Sequence, residues 1–191
     1  MMWSLGYSSA QPRDTREAKE LNNQAVNLVN GSMGDRKALL AALKLLDIAI
    51  KADSLCTTCY LNKTTFLFRL GRRIQALKLL EKLAAYFPQR DGYRTMQGQI
   101  LECMGRLQEA KKRYLQDLQK YDKMLQTGAD SVTVSVRLAR AFLLMPIKGQ
   151  KVGIQEYETI ASEFPGDTSI ATQRITFYAF DRTKFINEFC R

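Results

Sequence analysis

The stretch GRRIQALKLLEKLAAYFP occupies residues 71–88, and GRLQEAKKRYLQDLQKY follows at residues 105–121. Their opening glycines, Gly71 and Gly105, stand 34 residues apart. Ala42, Ala76 and Ala110 keep the same 34-residue step, and twelve residues after each come Ser54, Pro88 and Asp122. A fixed period of this length marks a chain built from repeated helix pairs. Small residues recur because helix backbones approach closely where antiparallel helices cross. Glycine recurs because the turn inside a pair needs a positive φ. Proline stands at the exit because it cannot continue a helix. Large residues such as Leu67, Leu80, Leu83, Leu101 and Tyr114 then fill the space within and between pairs. Each pair buries its apolar face on the next, so the pattern must repeat.

Helical periodicity covers nearly the whole chain. A first helix runs over 14–30, with Asp14 and Glu17 spaced as a capping box, and GSMGD (31–35) ends it. Further helices are expected over 36–53, 54–71, 72–88, 91–105, 106–128, 131–145 and 148–165, with one or two closing helices in 168–191. The natural stops are Gly71, Pro88, Gly105, Gly128 and Pro165. The expected fold class is therefore all-α: about four antiparallel helix hairpins (14–54, 55–88, 89–127, 128–165) and a C-terminal cap over 166–191.

Composition agrees. The 191 residues are 46% apolar and 25% charged, with four prolines and eleven glycines, and long stretches hold strong helix formers. Such a chain can bury a core without disulfide staples. The net charge of +10 favours acidic partners, but the basic residues are scattered and a solvated surface explains them equally. No histidine is present, which excludes imidazole catalysis and His-ligated zinc. No apolar run reaches membrane-spanning length. Ser8-Ser9-Ala10 places small residues at the −3 and −1 positions of a signal-peptidase cut before Gln11, with no basic segment before it. Residues 1–13 read as an unstructured arm, the alternative being the tail of a signal peptide. The chain as it stands would be cytoplasmic; with 1–10 as a signal remnant it would be exported or periplasmic.

The period and its small positions resemble the tetratricopeptide repeat. Thr64, Gly71, Ala76 and Pro88 match the small, Gly, Ala and Pro places of the second repeat, and Gly98, Gly105, Ala110 and Asp122 those of the third. Ala25 and Ala42 serve the first repeat, and Ala139 and Gly153 the fourth. The resemblance covers 14–165, most clearly 36–122. Family members occur in bacterial cell envelopes and in cytoplasm. It implies a right-handed superhelix whose first helices line a concave groove. Here that groove would hold Asn22, Val26, Asn62, Thr65, Phe68, Arg69, Thr95, Gln99 and Glu102, with Arg137 and Arg140 further along. Such a mixed polar surface suits an extended peptide or a partner helix, acidic in keeping with the charge.

One subclass of the family clamps an acidic C-terminus between cations and asparagines. Asn62 matches that pattern, and Lys19 and Asn23 have the spacing. Gly92 and Met96 stand where two cations are needed, with Arg90 and Arg94 out of phase, so the clamp is not expected. Cys56-Thr57-Thr58-Cys59 is a CxxC at a helix start; its plain reading is small packing residues at a repeat junction, and Cys103 reads as core. A zinc site made only of cysteines would need Cys103 and Cys190 to converge from distant repeats. Lys111, Lys112, Arg113, Lys120 and Lys123, interleaved with Tyr114 and Tyr121, read as a solvated helix face, the alternative being a nucleic-acid surface. No phosphate loop, nucleophile elbow or paired-carboxylate motif is present, so no enzymatic activity and no cofactor or metal is expected. The sequence therefore points to a non-catalytic scaffold for a protein segment, with nucleic-acid binding as the alternative.

Overall fold

The computed structural model describes residues 15–88, 92–127 and 134–190. The arm at 1–13, Asp14, Arg90 and the Gly128 stop lie outside these. Among the described residues the chain is all-α, with ten helices and no strand. They are α1 (Thr15–Gly31), α2 (Arg36–Ala52), α3 (Thr57–Arg69), α4 (Arg73–Tyr86), α5 (Tyr93–Cys103), α6 (Leu107–Gln126), α7 (Val134–Lys148), α8 (Gln150–Glu163), α9 (Thr168–Tyr178) and α10 (Arg182–Phe189). The chain divides into two compact units, Met1–Leu79 and Leu80–Arg191, with the division inside α4.

In the first unit, α1 packs on α2, and α3 packs on both. Ala25, Ala42, Leu46 and Ala49 are wholly buried where these helices meet. The Asp35 carboxylate caps α2, accepting from the Ala38 N–H at 2.7 Å.

In the second unit, α5 pairs with α6 and α7 with α8, while α6 also meets α7. A Cβ on Gly98 of α5 would stand 2.3 Å from the ring of Tyr114 on α6. Only glycine admits the tyrosine there, so the small place on one helix and the aromatic place on the other are a single packing event. In the next pair Gly153 lies against Met145 and Ala141: a Cβ there would stand 2.3 Å from Met145 Cγ and 2.9 Å from the Ala141 carbonyl oxygen. Ala141 is fully buried and Ala139 only half-buried, so the crossing residue lies two places beyond the expected Ala139. The chain ends with α9 on α7 and α8, and α10 on α5. Ile170, Phe177, Tyr157, Ile160 and Leu138 form the cluster under α9. Tyr157 and Phe177 stack there at 4.6 Å.

The repeated opening of the two quoted stretches has one geometry. Gly71 and Gly105 have φ of +74° and +73°. The N–H of Arg72 reaches the Leu67 carbonyl, and that of Arg106 the Leu101 carbonyl, each at 2.9 Å. This is a Schellman ending, which needs the left-handed residue that glycine supplies without strain. Pro88 and Pro165 follow helix ends as expected. Pro146 does not stop α7, which runs on to Lys148, three residues past the expected end at Met145. Pro146 has no N–H to give the Phe142 carbonyl, yet the helix continues for two more residues, and Gly149, at φ +101°, makes the exit instead.

Candidate functional site

In the first unit the expected groove residues fall on facing helices. Asn22 and Val26 lie one turn apart on α1; Asn62, Thr65 and Arg69 recur along α3. The two asparagines meet: Asn62 Nδ2 donates to Asn22 Oδ1 at 2.8 Å. Asn22 is buried and Asn62 half-buried, so this pair joins α1 to α3. Val26 and Phe68 are half-buried, while Thr65 and Arg69 are exposed. The Arg69 guanidinium lies over Gly34, where a Cβ would stand 1.7 Å from its Nη2.

In the second unit Thr95, Gln99 and Glu102 form one stripe of α5. Thr95 is turned to α6: its N–H and its hydroxyl both donate to Asp117 Oδ2, at 2.9 and 2.8 Å. Gly92 provides no side-chain cap for α5, so the buried Asp117 carboxylate supplies one from the neighbouring helix. Glu102 accepts from the Tyr114 hydroxyl at 2.9 Å and pairs with Arg182 of α10. Burial first, and then the Glu102 carboxylate, push the Tyr114 phenol far above its ordinary value. Arg140 is held between Asp122 at 2.6 Å and Glu156 at 2.7 Å. Arg137 pairs with Glu163, whose carboxyl is lowered chiefly by that hydrogen bond, and lies over the Phe164 ring at 5.4 Å.

Two features escaped the sequence. Cys103 is not a plain core residue: it is disulfide-bonded to Cys190 across a separation of 87 residues. Cys56 and Cys59 are likewise bonded, rather than being small packing residues alone. All four cysteines are thus used, which also removes the thiolates that an all-cysteine zinc site would need. The distant pair could not be matched from spacing, because α10 reaches α5 only through the course of the intervening helices. Its one signal was the even number of cysteines. The second feature is that α10 lies on the α5 stripe. Ile186, Phe180 and Arg182 border one cleft with Gln99, Glu102, Phe142 and Pro146.

The basic residues of α6 differ in exposure. Lys111 and Lys112 are exposed, while Tyr114 and Tyr121 are buried rather than free to stack on bases. Arg113 meets Glu81 at 3.3 Å. Among the described residues no His, Cys, Asp or Glu cluster could hold a metal ion, and no helix is long and apolar enough to cross a membrane.

No protein-family model and no curated protein sequence matches the chain. Among solved structures, it is similar to a tetratricopeptide repeat protein from Parabacteroides merdae, at 17% identity and a TM-score of 0.44, over 91% of this chain and 75% of that one.

Proposed function

We propose that this protein is a tetratricopeptide-like, non-catalytic scaffold that holds a peptide or helix of a protein partner against the inner faces of its first helices. The observation that carries the reading is the pairing of α1 with α3 through Asn22 and Asn62, beside exposed Thr65 and Arg69. That face mixes hydrogen-bonding groups, a cation and the half-buried apolar Val26 and Phe68, which suits side-chain recognition of a short segment. Arg69 gives it a preference for acidic residues. The stripe of α5 is the corresponding face of the second unit.

Nucleic-acid binding has less support. Arg113, Arg137 and Arg140 all face carboxylates within the protein, so these three are already engaged. Two disulfides, with every cysteine engaged, suit a protein that works in an oxidising compartment.

The test is capture of partners on the tagged chain at low and high salt, beside a Thr65→Glu/Arg69→Glu variant. A stoichiometric protein that survives high salt, and is lost on the variant, is expected. Nucleic acid leaving steeply with salt, or capture unchanged by the variant, overturns the groove reading.

A further inference from the structure

We propose that α10 is a resident occupant of the inner face of the second unit, latched there by Cys103–Cys190. A partner helix then gains that face only after a dithiol reduces the bond. This rests on the groove reading above, since it concerns the regulation of the same kind of face.

Thr95, Gln99 and Glu102 are the α5 residues expected to meet a partner, and α10 docks there. It does so in the manner of a groove ligand. Its apolar Ile186 enters a cleft bordered by Phe142 and Pro146 of α7, and its Arg182 pairs with Glu102, whose side chain is only 7% exposed. A carboxylate so enclosed needs a cation from some source, and α10 supplies it. The partner that fits in its place is therefore an amphipathic helix carrying a cation one turn before an aliphatic residue.

Cys190, the residue that follows α10, ties the helix covalently to Cys103 of α5. Among the described side chains of α10 none is buried, and Thr183, Lys184, Asn187 and Glu188 are exposed. An eight-residue helix has little stability of its own. The preceding α9 is anchored differently, with Ile170 and Phe177 at 5% and 1% exposure in the core. Between them, Ala179, Phe180 and Asp181 are not helical. Breaking the latch thus frees α10 at this short connection and leaves α9 in place.

The exchange balances. One thiolate of the dithiol attacks the bond and forms a mixed disulfide with Cys103 or Cys190, releasing the other sulfur. The second thiol of the reductant resolves it. The dithiol leaves as a disulfide, having given two electrons, and the protein holds two thiols.

The test is amide hydrogen exchange on the full chain, oxidised wild type against Cys190→Ser, which leaves Cys56–Cys59 intact. In the variant, α10 amides are expected to exchange at least ten-fold faster while α7, α8 and α9 keep their protection. Unchanged exchange in α10, or loss of protection throughout the unit, overturns the latch; the second result would make the bond a structural staple. A labelled peptide of residues 180–190, with Ser at 190, is then titrated by anisotropy. It should bind a Cys190→Ser/Arg182→Glu chain at least ten-fold more tightly than the oxidised wild type. Equal affinity for the two overturns the docking face. Neither readout uses an outside partner, so failure of the capture experiment above is separate from failure here.

Discussion

Tyr114 shows how much one residue settles in this chain. Its ring fills the place that Gly98 leaves open, and its hydroxyl serves Glu102, which in turn meets Arg182. One side chain therefore links the packing of a helix pair to the polar face where α10 docks. Its phenol is raised well above the ordinary value of about 10, by burial and then by Glu102. The folded state keeps this proton where the unfolded chain loses it. The resulting stability is complete below about pH 10 and falls as pH rises further, by about 1.4 kcal/mol per pH unit. Tyr114→Phe lacks that loss. It should cost about 1–2 kcal/mol near neutral pH, because Glu102 loses a donor. The gap to wild type should narrow between about pH 10 and 11. Urea unfolding at several alkaline pH values checks this, and a gap that does not change refutes it.

Among the helices, α5 and α6 depend on each other for more than apolar contact. The first turn of α5 has no cap of its own, and Asp117 of α6 takes both the N–H and the hydroxyl of Thr95. Arg94 Nη1 stands 3.6 Å from the other carboxylate oxygen. Asp117→Ala leaves these donors without an acceptor in a nearly closed site and should cost about 3 kcal/mol. Asp117→Asn keeps one acceptor and should cost clearly less. Denaturant midpoints of the two variants decide it; equal midpoints would mean that the carboxylate does not cap α5. The sequence offers an aspartate among lysines on α6, which reads as surface. Its burial follows from which face of α6 meets α5, and composition does not report that. The α7 boundary teaches the same lesson: the helix was expected to end at Met145, yet it runs through Pro146 to Lys148 and Gly149 makes the turn.

For the molecule as a whole, the cysteines change the picture most. With both disulfides closed, the oxidised chain should be four hydrogens lighter than the reduced one, two for each bond, and should show no thiol to a thiol reagent before reduction. Intact mass and thiol titration of protein purified without reductant test this; two or more titratable thiols would count against the pairing. The all-α class and the turns at Gly71 and Gly105 were legible from the 34-residue step, because helix period and turn glycine are local rules that every repeat must obey. Asn62 was expected at a groove place, and its bond to Asn22 is the tertiary detail that joins two helices forty residues apart. Local sequence thus determined the helices, the Schellman turns and the small-to-large packing places. Tertiary structure alone decided that Cys103 meets Cys190, that Arg137 and Arg140 turn to internal carboxylates, and that α10 covers the α5 stripe. Those outcomes depend on where distant segments arrive in space, and no spacing along the chain encodes the arrival.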